Sequence, residues 1–357
     1  GIAPVRVYTR SMNSRTCFHA SCPGLLLVLA CALLIPSCSS SGGDVDSDDD
    51  SNGGIDYRAE MRSFVTELAA RARETDGDFI VVPQNGQELF TDSGSADGEP
   101  ESAYLEAIDG SGRESMFYGY YGDDEETPAE DSEPLVALCR LGEQRGVRTL
   151  AVDYCSTPAL VEESYRKNAE NGFIPFAALD RNLATIPATA GAPDDPRFVN
   201  QDDVESLADA KNFLYIINGE RYDTTADFIA AVRETDYDVV VMDAFQDETA
   251  FSAAEIESLK EKKGGGRRIV LAYMSIGEAE EYRWYWDDGW LSDPPSWLER
   301  ENPDWEGNYK VRYWDAAWQE IIFGNESSYL GKILDAGFDG VYLDIIDGFE
   351  YFEELES

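Results

Sequence analysis

Residues 268–275 read RIVLAYMS, a short apolar and β-branched run. Just upstream, Ser252-Ala-Ala-Glu255 forms a capping box that opens a helical pattern carrying Ile256 and Leu259. The same alternation recurs along the chain. Further runs stand at 79–83, 105–109, 149–153, 173–179, 213–218, 238–243 and 340–344. A helical pattern at 56–73 places Met61, Phe64, Val65, Leu68, Ala69 and Ala72 on one face. Another starts at Thr157-Pro158 and stops at Asn171-Gly172, and a third closes at Gly337. Short β-branched runs alternating with helices are the signature of a parallel sheet with crossover connections. Eight such units favour closure into a single (β/α)8 TIM barrel over 55–357, with a doubly wound open sheet as the alternative. A Pro/Ala/Asp-rich stretch at 184–206 reads as a long joint between 55–183 and 207–357.

The acids fall at the ends of these runs. Asp153, Asp243 and Asp344 close three of them, Asp109 with Glu114 follows a fourth, and Ser275 with Glu278 a fifth. A sixth ends in Gln84-Asn85. In a parallel barrel these ends converge on the face that holds the active site. One such Asp is well explained as a helix N-cap; five together are not. Tryptophan adds a separate signal, because all seven lie between Trp284 and Trp318. Flat aromatic faces pack on sugar rings, so this loop suits a glycan, although Trp314 and Trp318 sit on a helical pattern and read as a small loop core.

Composition narrows the chemistry. The net charge is −43, with 28 Lys and Arg against 71 Asp and Glu, which opposes nucleic-acid binding. The charge serves solubility, and it would also attract a cationic polymer. The one histidine, His19, lies in a segment read as a removed leader. Ser-His-Asp and Cys-His triads and HExxH zinc sites are therefore excluded. No metal or other cofactor is expected. Residues 1–37 read as a leader with a signal peptide, whose apolar stretch LLLVLACALLI at 25–35 is too short to span a bilayer. Ile-Pro-Ser-Cys at 35–38 resembles a bacterial lipobox, making Cys38 a candidate for lipidation and the lipid the expected membrane contact. Residues 38–54 form a Ser/Gly/Asp tether of disordered composition. These features predict an exported, cell-envelope or extracellular protein. Cys139 and Cys155, the two cysteines of the remaining chain, fit either one disulfide or two buried thiols.

Longer motifs carry a resemblance. Tyr273-Met-Ser-Ile-Gly-Glu-Ala-Glu280-Glu-Tyr-Arg283 with Trp284-Tyr285-Trp286, Pro303-Asp304-Trp305, Tyr313-Trp314 and Gly340-Val-Tyr-Leu-Asp344-Ile-Ile-Asp347 resemble glycoside-hydrolase family 114, as do Val82-Pro-Gln-Asn-Gly86, Ile108-Asp-Gly110 with Glu114, Phe117-Tyr-Gly-Tyr120 and Val152-Asp-Tyr154. The resemblance covers nearly all of 56–353 and implies an endo-α-1,4-polygalactosaminidase-like enzyme on a TIM barrel. It implies Asp344 as nucleophile and Glu114 as acid/base of a retaining hydrolysis, two carboxylates about 5–5.5 Å apart. Asp153, Asp243, Glu278 and Asp347 become candidates for binding substrate ammonium or hydroxyl groups. Tyr118, Tyr273, Tyr282, Arg283, Asn85 and Trp284 become candidates for orienting those acids or lining the cleft. In the family, the segment like 213–347 precedes the segment like 56–180. Here the order is exchanged, which implies a circular permutation and predicts that 341–343 lies parallel to 80–82. The alternative function is a non-catalytic glycan-binding surface lipoprotein, which needs the aromatic loop but not the acid pair.

Overall fold

The computed structural model describes residues 54–187, 196–246 and 249–356. The leader, Cys38 and the tether up to residue 53 lie outside the described residues, as do 188–195 of the joint.

The chain folds as α/β with parallel sheets. Five strands pair in the order Ile80–Pro83, Gly340–Asp344, Ile269–Ser275, Val239–Asp243 and Phe213–Ile216. Three more pair as Gly110–Glu114, Arg148–Tyr154 and Ile174–Ala178. The strand near the end of the chain thus lies parallel to the first, with Val81 opposite Val341 and Val82 opposite Tyr342. The sheets approach each other at both edges. At one, a parallel bridge joins Gln84 to Gly112, and Asn85 N–H donates to the Gly112 carbonyl at 2.8 Å. At the other, Phe176 meets Phe213 with ring centroids 5.5 Å apart, and the Leu183 carbonyl accepts from Ile217 N–H. The expected uninterrupted ring is thus two sheets whose edges meet, and side-chain packing rather than a strand ladder fills the second seam.

One expected strand was misplaced. Residues 105–109 do not form a strand: Ser102–Ala107 is a helix, and the strand is Gly110–Glu114. Asp109 therefore sits at the opposite end from Glu114, where it accepts from Val81 N–H and from Arg73, both at 2.8 Å. The strand, GSGRE, has little β-propensity. The second of its two glycines is needed by the neighbour across the interior: a Cβ on Gly112 would lie 1.9 Å from the Tyr342 hydroxyl.

Helices cover the sheets. Tyr57–Arg73 is capped by the Asp56 side chain on Ala59 N–H and buries the expected face. It packs beside Gly348–Glu356, with Tyr57 Oη donating to Glu356 and Arg58 paired to Glu353 at 2.8 Å. Pro158–Asn171 begins and ends where its signals stand. No described helix is long and apolar enough to cross a membrane. Cys139 and Cys155 are both free and buried.

The joint is held at the N-terminal ends of the strands by a buried ion pair. Lys262 Nζ lies 3.0 Å from Asp238 Oδ1, with both side chains wholly buried. Asn200 donates to both Asp238 oxygens, and Lys262 also donates to the Asp202 carbonyl. Removing one member of such a pair leaves an uncompensated buried charge. Asp238→Ala is expected to lower unfolding free energy by about 3–5 kcal/mol, read from urea midpoints at unchanged slope. An unaltered midpoint would remove the pair as the anchor of the joint.

Candidate active site

At the C-terminal ends of the strands, backbone turns and side chains together place two carboxylates. Glu114 ends its strand and Asp344 ends another, 230 residues away in sequence. Each is followed by a residue with left-handed backbone, Ser115 (φ 56°) and Ile345 (φ 61°). That conformation is strained for a β-branched residue, at a cost of about 1–3 kcal/mol. It turns the Ile345 N–H back onto Asp344 Oδ1 at 2.8 Å. Tyr273 Oη donates to the other oxygen at 2.5 Å.

Glu114 is held from two neighbouring strands. Gln84 Nε2 donates to Oε2 at 2.6 Å and Asn85 Nδ2 to the same oxygen at 3.4 Å. Tyr154 Oη donates to Oε1. Asn85 closes the arrangement by accepting from Glu114 N–H at 3.2 Å. Below the acids lies a tyrosine layer: Tyr215 is 5.1 Å from Tyr342 and 6.5 Å from Tyr273, centroid to centroid. Burial, then the charges of Asp344 and Glu114, pushes the Tyr215 and Tyr342 hydroxyls far up, so they stay protonated.

The same burial raises the Asp344 carboxyl from 3.8 to about 7, and the nearby Glu114 charge adds to the shift against the pull of Tyr273 and Ile345. Asp347 is raised to about 6, by burial and then by Glu350, while Lys310 and Arg113 pull it down. The two candidate catalytic acids are thus electrostatic neighbours, and Asp347 belongs to the same field.

The other expected site residues divide. Tyr273 and Asn85 orient the acid pair. Arg283 is buried, paired to both oxygens of Asp243 at 2.8 and 2.9 Å and to Glu280 at 2.6 Å, and Tyr282 donates to Glu280 at 2.5 Å. Asp243 is therefore engaged within the protein, holding this arginine. Three residues expected at the substrate serve structure instead. Asp153 is wholly buried and accepts from Phe117 and Tyr118 N–H, Ser164 and Asn168, which pins the loop after Glu114 to a helix. Glu278 is wholly buried against Asn302, Asn308 and Lys310. Tyr118 packs with Cys155, Tyr165 and Ala177 on the helix side of the sheet. The tryptophan-rich loop is also mostly its own core: Trp286, Trp290, Trp297 and Trp318 touch in series at 4.9–5.2 Å. Trp284 remains 40% exposed, with Lys332 Nζ 4.4 Å above its ring.

Sequence reasoning marks Gln84 only as a strand end and Tyr154 and Tyr342 only as motif residues, and it does not single out Tyr215. Strand alternation holds the signal for one of them, since consecutive Asp153 and Tyr154 must face opposite sides. Among the described residues, no group of His, Cys, Asp and Glu is arranged to hold a metal ion.

Comparison with known proteins bears on the half that carries Asp344. Residues 194–356 match the sequence model of glycoside-hydrolase family GH114. This segment is similar to GH114. Within the GH114 segment lie Asp243, Tyr273, Glu278, Tyr282, Arg283, Trp284, Asp344 and Asp347; Asn85, Glu114, Tyr118 and Asp153 lie outside it. The chain is 50% identical over 129 residues to an uncharacterized protein of Methanocaldococcus jannaschii, covering 35% of each. It is 39% identical over 123 residues to one of Thermotoga maritima and 42% identical over 121 residues to one of Deinococcus radiodurans, covering 34% of this chain and 36% of each relative. The chain thus spans about a third of the length of the curated relatives it matches.

A raised carboxyl destabilises the folded state once ionised. The folded-state pKa of Asp344 lies above its ordinary value, so stability is fullest below about pH 4 and is lost as pH rises toward about 7. Asp344→Asn removes that charge. It should stabilise the protein at pH 8 by up to about 4 kcal/mol and by little at pH 4, measured from urea midpoints. Equal differences at both pH values would show that Asp344 is not held against ionisation.

Proposed function

We propose that the chain is a glycoside hydrolase on a (β/α)8 barrel, permuted in order relative to its family, that cleaves an amino-sugar polysaccharide of α-1,4-linked galactosamine. We place it outside the cell, tethered through Cys38. The observation that carries the reading is the convergence of Asp344 and Glu114. Two strands from distant parts of the chain bring one carboxyl each to a common mouth, close enough that the charge of one raises the other. Glycoside cleavage needs such a pair, one member to attack or stabilise the anomeric carbon and one to protonate the leaving oxygen. The GH114 match over the Asp344 half and the parallel pairing of 80–83 with 340–344 support the assignment.

In this reading Asp344 is the nucleophile and Glu114 the acid/base. Asp344 attacks the anomeric carbon as Glu114 gives its proton to the departing oxygen. Glu114 then takes a proton from a water as that water's oxygen attacks the anomeric carbon and breaks its bond to Asp344, so the sugar leaves with a new hydroxyl, Glu114 is again protonated and Asp344 is again a carboxylate. Tyr273 and the Ile345 N–H fix the attacking group, and the dry tyrosine floor strengthens each charge interaction. Asp347, which feels the charge of Glu114 and acts on Asp344, suits a substrate ammonium. A cationic sugar would also favour the ionised form of Asp344, so binding and activation of the nucleophile reinforce each other.

Asp344→Asn and Glu114→Gln should each lower reducing-end release from partly deacetylated galactosamine polymer by about a hundredfold or more with the fold intact. Release at the original rate would remove that residue from the pair. Polymer binding without release by the intact protein would instead establish a glycan-binding module. Affinity should fall as salt is raised and as the polymer is N-acetylated, because the attraction is screened and then abolished. Affinity indifferent to both would confine the −43 charge to solubility.

A further inference from the structure

Glu114 is gripped by a chain of hydrogen bonds that begins on the far side of the interior. Tyr215, on Phe213–Ile216, is 1% exposed, and its Oη lies 2.7 Å from Gln84 Oε1. Gln84 is 2% exposed, and its Nε2 lies 2.6 Å from Glu114 Oε2. A phenol carries one proton to donate, and leaving it unpaired in a buried site costs about 1–3 kcal/mol. Among the described residues, Gln84 Oε1 is the acceptor that Tyr215 Oη reaches. The amide is therefore oriented: its carbonyl faces Tyr215 and its N–H group faces Glu114. Turning it over would orphan the Tyr215 proton and press the amide oxygen against a carboxylate oxygen. Asn85 Nδ2 donates to the same Glu114 oxygen, while Oε1 faces a hydroxyl, Tyr154 Oη, that can donate or accept.

We propose that Tyr215 and Gln84 form a positioning relay that decides which oxygen of Glu114 carries a proton: Oε2 is kept as an acceptor, and the exchangeable proton is confined to Oε1, opposite Tyr154. The relay holds whether or not the protein is a hydrolase; its catalytic consequence rests on that reading. With the proton restricted to one oxygen, the acid/base gives and regains it at a single place without the carboxyl having to turn. The other titratable groups facing Glu114 are Asp344, Asp347 and Tyr342 from the 340–347 segment, and none of them donates to Oε2.

The test is a carboxyl-carbon NMR pH titration of glutamate-labelled protein, with the Glu114 resonance assigned by its loss in Glu114→Gln. Tyr215→Phe removes the hydroxyl and keeps the ring against Tyr342. It frees Gln84 to turn its carbonyl onto Glu114, so the Glu114 midpoint should move to higher pH by about half a unit or more. Gln84→Met should move it in the same direction. Adding Tyr215→Phe to Gln84→Met should produce no further shift, because Tyr215 acts only through Gln84. An unmoved midpoint in either single variant, or additive shifts in the double variant, overturns the relay. Should Tyr215→Phe fail to fold, an unmoved midpoint in Gln84→Met still does so. In the hydrolase, Tyr215→Phe should also lower kcat about tenfold at unchanged KM and displace the pH limb that tracks Glu114. NMR shifts in a protein that cleaves no galactosamine polymer would leave the relay standing and sink the hydrolase reading; cleavage with no NMR shift would do the reverse.

Discussion

A carboxyl group held almost buried beside a second carboxylate is the constraint on which the rest of this molecule turns. Asp344 is 7% exposed, over a floor of tyrosine rings, with a second carboxylate as neighbour. Water cannot solvate it there, so protein groups must. One donor comes from the adjacent strand, Tyr273, and one from its own backbone, obtained by forcing Ile345 into left-handed geometry. The strain and the raised carboxyl are both destabilising, and both sit where a reaction would profit from a poorly solvated charge. The stabilising polar anchors lie at the opposite ends of the strands, where Asp238, Lys262, Asp109 and Arg73 are satisfied by partners. The polar anchors and the carboxyl pair thus lie at opposite ends of the strands.

Strand alternation then sorts the acids. Residues that share the inward parity, Gln84, Glu114, Tyr154, Tyr273, Tyr342 and Asp344, meet one another. Asp153 has the outward parity and meets Ser164 and Asn168 of a helix instead. An acid at a strand end is therefore only half of a catalytic signal. The other half is which face it occupies, and a one-residue displacement exchanges the two.

This explains what was legible. Strands made of long apolar runs, such as Ile269–Ser275 and Gly340–Asp344, were bounded within a residue, and so was the Tyr57–Arg73 helix. The strand carrying Glu114 was displaced because its residues are glycine and polar. Gly112 is chosen to admit Tyr342 rather than to favour extended backbone, while Leu105 and Ala107, which read as a strand, bury a short helix instead. The tryptophan loop departs from its sequence signal for a related reason. Clustering in sequence signals mutual packing as readily as a binding surface, and four of its indoles satisfy one another. The relay from Tyr215 to Gln84 could not be read at all, since it joins residues 131 apart through a neutral amide.

In the proposed reading Glu114 and Asp344 act on one sugar from a short separation. That geometry dictates stereochemistry: carboxyls about 5–5.5 Å apart work by double displacement, whereas an inverting pair needs about 6.5–9.5 Å to admit a water. Proton NMR of the first sugar released from α-1,4-linked galactosamine polymer, recorded before mutarotation, reads the outcome directly. Double displacement at this pair releases the α-anomer as the initial product. An initial β-anomer would contradict it.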